Sequence, residues 1–128
     1  MGGNVNCTNS LTEMVIVLAM RIHTQLGPGL LEKVYVECLY YELIKHGYMV
    51  EKQKYLMVNY ESIQIPIGYK IDLLVEDQLV LEIKSAESIH PIFIAQTLTY
   101  MKLGEYKIGL ILNFNVTSMR FGIKRLVR

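Results

Sequence analysis

Apolar positions change their period along the chain. Leu11, Val15, Leu18, Ile22 and Leu26 recur every three or four residues and form one face of an amphipathic helix. Ser10-Leu-Thr-Glu13 is a capping box, which predicts that this helix starts there and that residues 1–9 are frayed or disordered. Gly27-Pro28-Gly29 ends it. A second helical run spans Leu30 to His46, with Leu31, Val34, Cys38 and Tyr41 as its apolar stripe, Leu39 and Leu43 widening it, and Gly47 as its stop.

From residue 48 the period falls to two. Tyr55, Met57 and Asn59 alternate with Leu56, Val58 and Tyr60, and Glu61-Ser62 reads as a turn. Ile63, Ile65 and Ile67 share the next strand face, with Pro66 marking an edge. Tyr69–Val75 and Leu79–Lys84, around Glu76-Asp77-Gln78, form the clearest hairpin. Pro91 opens a third helix that reaches Lys102 or Leu103, with Gly104 as its stop. Ile108–Asn113 is a near-continuous apolar run, a buried strand, and Met119–Val127 is read as a last strand. The order α-α-β-β-β-β-α-β plus a final strand predicts an α/β (α+β) chain whose residues 10–128 form one domain.

Composition narrows the function. At 128 residues and 14.7 kDa, with 52% hydrophobic residues, the chain can bury a real core and is not intrinsically disordered. A net charge of +1 is too small for a tight, non-specific nucleic-acid coat. The basic tail, Arg120, Lys124, Arg125 and Arg128, is read as solvated. Cys7 and Cys38 make neither a metal spacing nor a disulfide framework, which points to a reducing cytoplasm. The longest apolar run, Met14 to Met20, is too short for a bilayer and has no basic region before it, so no membrane role is expected. His23, His46 and His90 sit on different elements without ligand spacing and are expected at the surface or in caps.

The hairpin holds the candidate chemistry. Its arms are apolar on both faces, yet Asp72, Glu82 and Lys84 lie within them. With a turn at 76–78, Val75 pairs with Leu79 and Asp72 falls opposite Glu82, while Lys84 shares the face of Glu82. Two carboxylates about 5 Å apart repel by about 3 kcal/mol at an effective dielectric of about 20. A hard cation turns that repulsion into a binding site. Without one, Lys84 simply neutralises Glu82. Gln96 and Tyr100, spaced i, i+4 on the third helix, could contact a phosphate or pack against the sheet. Glu32 is a first-turn helix carboxylate.

Gly29-Leu-Leu-Glu32-Lys-Val-Tyr35 matches a GxxExxY signature. Leu26-Gly-Pro-Gly-Leu-Leu-Glu32, Asp72-Leu-Leu-Val-Glu76, Leu81-Glu-Ile-Lys84, Ala95-Gln-Thr-Leu-Thr-Tyr-Met-Lys102, Asn113-Phe114 and Gly122-Ile-Lys-Arg125 follow in order. Over residues 11–127 the chain resembles the GxxExxY protein family, a compact branch of the PD-(D/E)XK nuclease superfamily. The resemblance implies a restriction-endonuclease-like αβββαβ core, a mixed sheet flanked by helices, here with an extra N-terminal helix. It implies that Asp72, Glu82 and the carbonyl of Ile83 ligate Mg²⁺ or Mn²⁺. Lys84 would position the attacking water, and Glu32 would be a further metal or water ligand. Gln96 and Tyr100 would match a QxxxY motif that contacts substrate. The chain departs from the family at Phe93 and Ile94, where a His-Glu pair is common, and at Asn115, where Gly is usual.

The implied function is metal-dependent phosphodiester hydrolysis on DNA or RNA, by a homodimer or with a partner protein. The alternatives are a non-catalytic nucleic-acid-binding or assembly subunit that keeps the nuclease fold, and a structural dimer module.

Overall fold

The computed structural model describes residues 3–65, 68 and 70–128. Helix α1 (Gly3–Leu26) buries Leu11, Val15, Leu18 and Ile22, the stripe expected from spacing, while Leu26 is exposed. The start expected at Ser10 is corrected, because the helix runs back through residues 3–9. No proline interrupts that stretch, and Arg125 Nη2 donates to Asn9 Oδ1 at 2.6 Å. The helix stops where Gly27 takes φ +70°.

Helix α2 (Glu32–Lys45) buries Tyr35, Val36, Leu39 and Leu43. The stripe expected through Leu31, Val34 and Tyr41 is exposed instead. The reason is Tyr35: its hydroxyl donates to Gly27 O at 2.6 Å and accepts from Leu30 N–H at 3.1 Å. A phenol so satisfied is buried like a Phe, and it turns the helix toward its own face. Gly47 closes α2 at φ +88°, with Gly47 N–H on Ile44 O and Tyr48 N–H on Leu43 O, a Schellman pair.

Among the described residues seven strands follow: β1 (Val50–Tyr55), β2 (Val58–Tyr60), β3 (Ile63–Ile65), β4 (Lys70–Val75), β5 (Leu79–Lys84), β6 (Ile108–Asn113) and β7 (Ile123–Val127). The single strand expected over 55–60 is split, since β1 joins the main sheet and β2 pairs only with β3. Pro66, Ile67 and Tyr69 lie outside the described residues. The main sheet has the order β1-β4-β5-β6-β7, in which β5–β6 alone is parallel. A parallel pair needs a crossover; helix α3 (Pro91–Gly104) supplies it. His90 caps α3, its ring accepting from Ile92 N–H at 3.1 Å, and Pro91 opens it. The left-handed stop residue is Glu105 (φ +60°) rather than Gly104. A 3₁₀ turn at Met119–Gly122 leads into β7.

The expected αβββαβ core is present as α2, β1, β4, β5, α3 and β6, with α1, the β2–β3 hairpin and β7 added. One core packs α1 and α2 on one sheet face through Leu73, Val75, Leu79, Leu81, Ile83, Leu110 and Leu112. A smaller one packs α3 on the other face through Leu74, Val80, Met101 and Ile111. His23 is buried, correcting its expected surface place: Nε2 lies 2.7 Å from Val116 O, which lets the ring be buried. Among the described residues no helix is long and apolar enough to cross a membrane.

Register places several element ends together. β1 ends at Tyr55, β4 begins at Lys70, β5 ends at Lys84, β6 ends at Asn113 and β7 begins at Ile123. These termini form one open end of the sheet. Glu32, the first residue of α2, meets the same end by accepting from Ser85 N–H.

Candidate active site

Asp72 and Glu82 meet at that open end. The β4–β5 ladder runs Val75↔Leu79, Leu74↔Val80 and Leu73↔Leu81, and there it stops. One position further on, side chains replace it. Asp72 N–H donates to Glu82 Oε2 at 3.1 Å, and Ile83 N–H donates to Asp72 Oδ2 at 2.9 Å. Each carboxylate is thus held by the backbone of the opposite strand.

The distortion extends to β1. Lys52↔Leu73 and Lys54↔Ile71 pair normally, but Gln53 between them has φ +56°. Leu73 belongs to the α1–α2 core and Ile71 to the α3 core, although residues two apart on a strand share a face. The alternation therefore reverses at Asp72. A non-glycine residue held in the left-handed region costs about 1–2 kcal/mol, and such strain collects at functional sites. Gln53 was missed by sequence reasoning, and a glutamine there leaves no sequence signal.

Burial sets the electrostatics. Glu82 is 5% exposed and Asp72 half-buried. Desolvation, followed by the charge of Asp72, pushes the Glu82 carboxyl up to about 8. Desolvation is also the main cause that raises Asp72. Lys84 and the backbone donors pull both back down, and Glu32 adds repulsion to both. Burial, not mutual repulsion, is the leading cost.

Lys84 is half-buried, and its Nζ lies 4.5 Å from the centroid of Phe93 on α3. The ring holds the ammonium by a cation–π contact. Gln96 is exposed and Tyr100 half-buried, one and two turns beyond Phe93 on the same side of α3. Tyr100 packs against the α3 core.

Glu32 stands at the rim: its Oε2 accepts from Ser85 N–H at 3.3 Å. It does not complete a three-carboxylate cluster, for among the described residues no group of three or more His, Cys, Asp or Glu is placed to hold a metal. The signature around it is mostly architectural. Gly29 turns the loop at φ +97°, and Tyr35 ties that loop down while stacking on Phe114 at 4.4 Å between centroids. Ser85 Oγ donates to Leu30 O at 2.7 Å. Asn113, buried at the end of β6, closes on Ala86 from both sides: it accepts from Ala86 N–H and donates to Ala86 O, each at 3.0 Å. Gly122 makes room for this latch, since a Cβ there would lie 2.0 Å from Asn113 O. In the sequence Asn113 is only part of a motif; in the fold its side chain fixes the chain after Lys84. Gly29, Leu30, Leu31, Glu32, Ser85 and Asn115 line an open cleft of about 540 Å³ beside the site.

A family model of the PD-(D/E)XK nuclease superfamily matches residues 9–126. The chain belongs to the PD-(D/E)XK nuclease superfamily. No curated protein and no solved structure matches it. Members of the superfamily generally use divalent metal ions, and membership implies a nucleic-acid substrate. The donor set here fits such an ion: two carboxylates, hard oxygen ligands whose ionisation burial opposes. Mg²⁺ is commonly held by one or two carboxylates plus water and substrate phosphate, so a third protein carboxylate is not required.

Proposed function

We propose that the chain is a metal-dependent phosphodiesterase acting on DNA or RNA, of the GxxExxY branch, with residues 10–128 as its catalytic domain in a reducing cytoplasm. The observation that carries this is the reciprocal bonding of Asp72 and Glu82 to each other's strands where the hairpin ladder ends. A structural ion pair has no need to break the ladder.

In this proposal Asp72, Glu82 and the Ile83 carbonyl hold Mg²⁺ or Mn²⁺, which supplies Lewis acidity at the phosphodiester. Lys84, aimed by Phe93, positions water and stabilises charge on the phosphate. Glu32 orients solvent at the rim, and Gln96 and Tyr100 contact the substrate from α3. The exposed Leu31 and Val34 are free to meet a second copy or a partner protein.

Cleavage of labelled DNA and RNA oligonucleotides in Mg²⁺ or Mn²⁺ tests the proposal. Native protein should cleave, and Asp72→Asn and Lys84→Ala should lose at least about a hundredfold in rate. Binding without cleavage would favour the subunit that keeps only the fold. Neither cleavage nor a Tm response to millimolar Mn²⁺ would remove the enzyme reading.

A further inference from the structure

Three cation–aromatic pairs stand across the open end of the sheet. At the β1–β4 side, Lys70 Nζ lies 5.6 Å from the Tyr55 ring centroid and 3.4 Å from Gln53 Oε1. In the middle, Lys84 lies over Phe93. At the β6–β7 connection, Arg120 Cζ lies 4.8 Å from the Phe121 centroid. The two outer rings are 66% and 67% exposed, far more than packing would leave. Their places follow from register: Tyr55 pairs with Lys70 two residues before Asp72, and Phe121 precedes the first residue of β7, which pairs with Leu112.

From β1 to β7 is four strand spacings, about 19 Å at about 4.8 Å each. The outer pairs therefore bracket the carboxylates on both sides. Each offers an aromatic face and a cation, the combination that takes one base by stacking and one phosphate by charge. In a duplex the base faces are already stacked, and only edges and phosphates can be met. A net charge of +1 also gives little pull on a duplex backbone.

We propose that the open end of the sheet is a track for single-stranded nucleic acid, gripped by Tyr55–Lys70 on one side of the Asp72–Glu82 site and by Phe121–Arg120 on the other. It rests on the nuclease reading and adds the substrate class. Unpaired bases lie on the two exposed rings, and the phosphate between them reaches the carboxylates and Lys84.

The test is binding of a fluorescent single strand and of the same sequence as duplex, in an Asp72→Asn background that stops cleavage. Tyr55→Ala and Phe121→Ala should each weaken single-strand binding about tenfold, and Tyr55→Phe should not. Both rings are exposed, so their truncation leaves the cores intact. Lys70→Gln and Arg120→Gln should each lower the slope of log K against log salt by about 0.7. Duplex should bind more weakly and ignore the alanine changes. Duplex bound as tightly as single strand, or both alanine variants binding like the parent, would overturn the track. If the native protein cleaves under those outcomes, the nuclease reading stands alone. If it neither binds nor cleaves any form, the nuclease reading falls and takes the track with it.

Discussion

The β4–β5 hairpin has two halves that solve opposite problems with the same backbone. In the turn half, Leu73, Leu74, Val75, Leu79, Val80 and Leu81 are at most 1% exposed and joined by an ordinary ladder. In the open half, one residue further along, Asp72 and Glu82 are taken out of water and their carboxylates stand in for ladder bonds. The first half gains from burial, and the second is opposed by it. The sheet can hold a buried acid pair because a closed apolar clamp sits directly behind it. Rigid support of this kind is what keeps ligands in place when their own electrostatics push them apart.

The largest effect should come from loosening the clamp. Leu81 is fully buried in the α1–α2 core, opposite Leu73. Leu81→Ala should cost about 2–5 kcal/mol of stability through lost transfer energy and a cavity. Chemical denaturation measures it. A loss below about 1 kcal/mol would mean that the turn half does not carry the hairpin.

The second effect has the opposite sign. With Glu82 pushed up to about 8 by burial and by Asp72, the folded chain keeps a proton that the unfolded chain releases near 4.5. The unfolded state thus binds fewer protons in this window, and metal-free stability falls as pH rises through it, by about a few kcal/mol. Asp72 contributes with the same sign. Glu82→Gln keeps an oxygen to accept from Asp72 N–H but removes the charge. Metal-free Glu82→Gln should be about 1–3 kcal/mol more stable at pH 8 and less sensitive to pH from 5 to 8 than the native protein. Mn²⁺ should raise the native Tm most at high pH and leave the variant unchanged. Thermal melts in EDTA and in Mn²⁺ decide; parallel pH profiles for the two proteins would show that the open half is not electrostatically opposed.

The sequence told these halves apart unevenly. The turn length fixed the register, because Val75↔Leu79 follows from a loop at 76–78, and Asp72 opposite Glu82 follows from that. What alternation could not reveal was its own failure. Gln53 is left-handed and the faces reverse at Asp72, a consequence of tertiary packing on two cores at once. The face of α2 was misread for a related reason. Spacing favours the stripe through Leu31 and Tyr41, whereas the helix turns Tyr35 inward because Gly27 and Leu30 satisfy its hydroxyl. Asn113 was equally opaque, since its latch on Ala86 joins positions far apart in the chain.

The smallest effect separates support from chemistry inside the open half. Phe93 is only partly buried, so Phe93→Leu preserves most of its apolar packing and should move stability by less than about 1 kcal/mol. What leucine lacks is the π face beneath Lys84, a contact of about 0.5–2 kcal/mol. If that contact aims the ammonium, its loss appears in the chemical step: kcat should fall about 2- to 30-fold with KM unchanged. Phe93→Tyr, which keeps the ring, should restore the rate. Phe93 would then be the means by which α3 holds this lysine. Should Phe93→Leu turn over like the native protein, Lys84 is held by its attraction to Asp72 and Glu82 alone, and the open half needs nothing from α3.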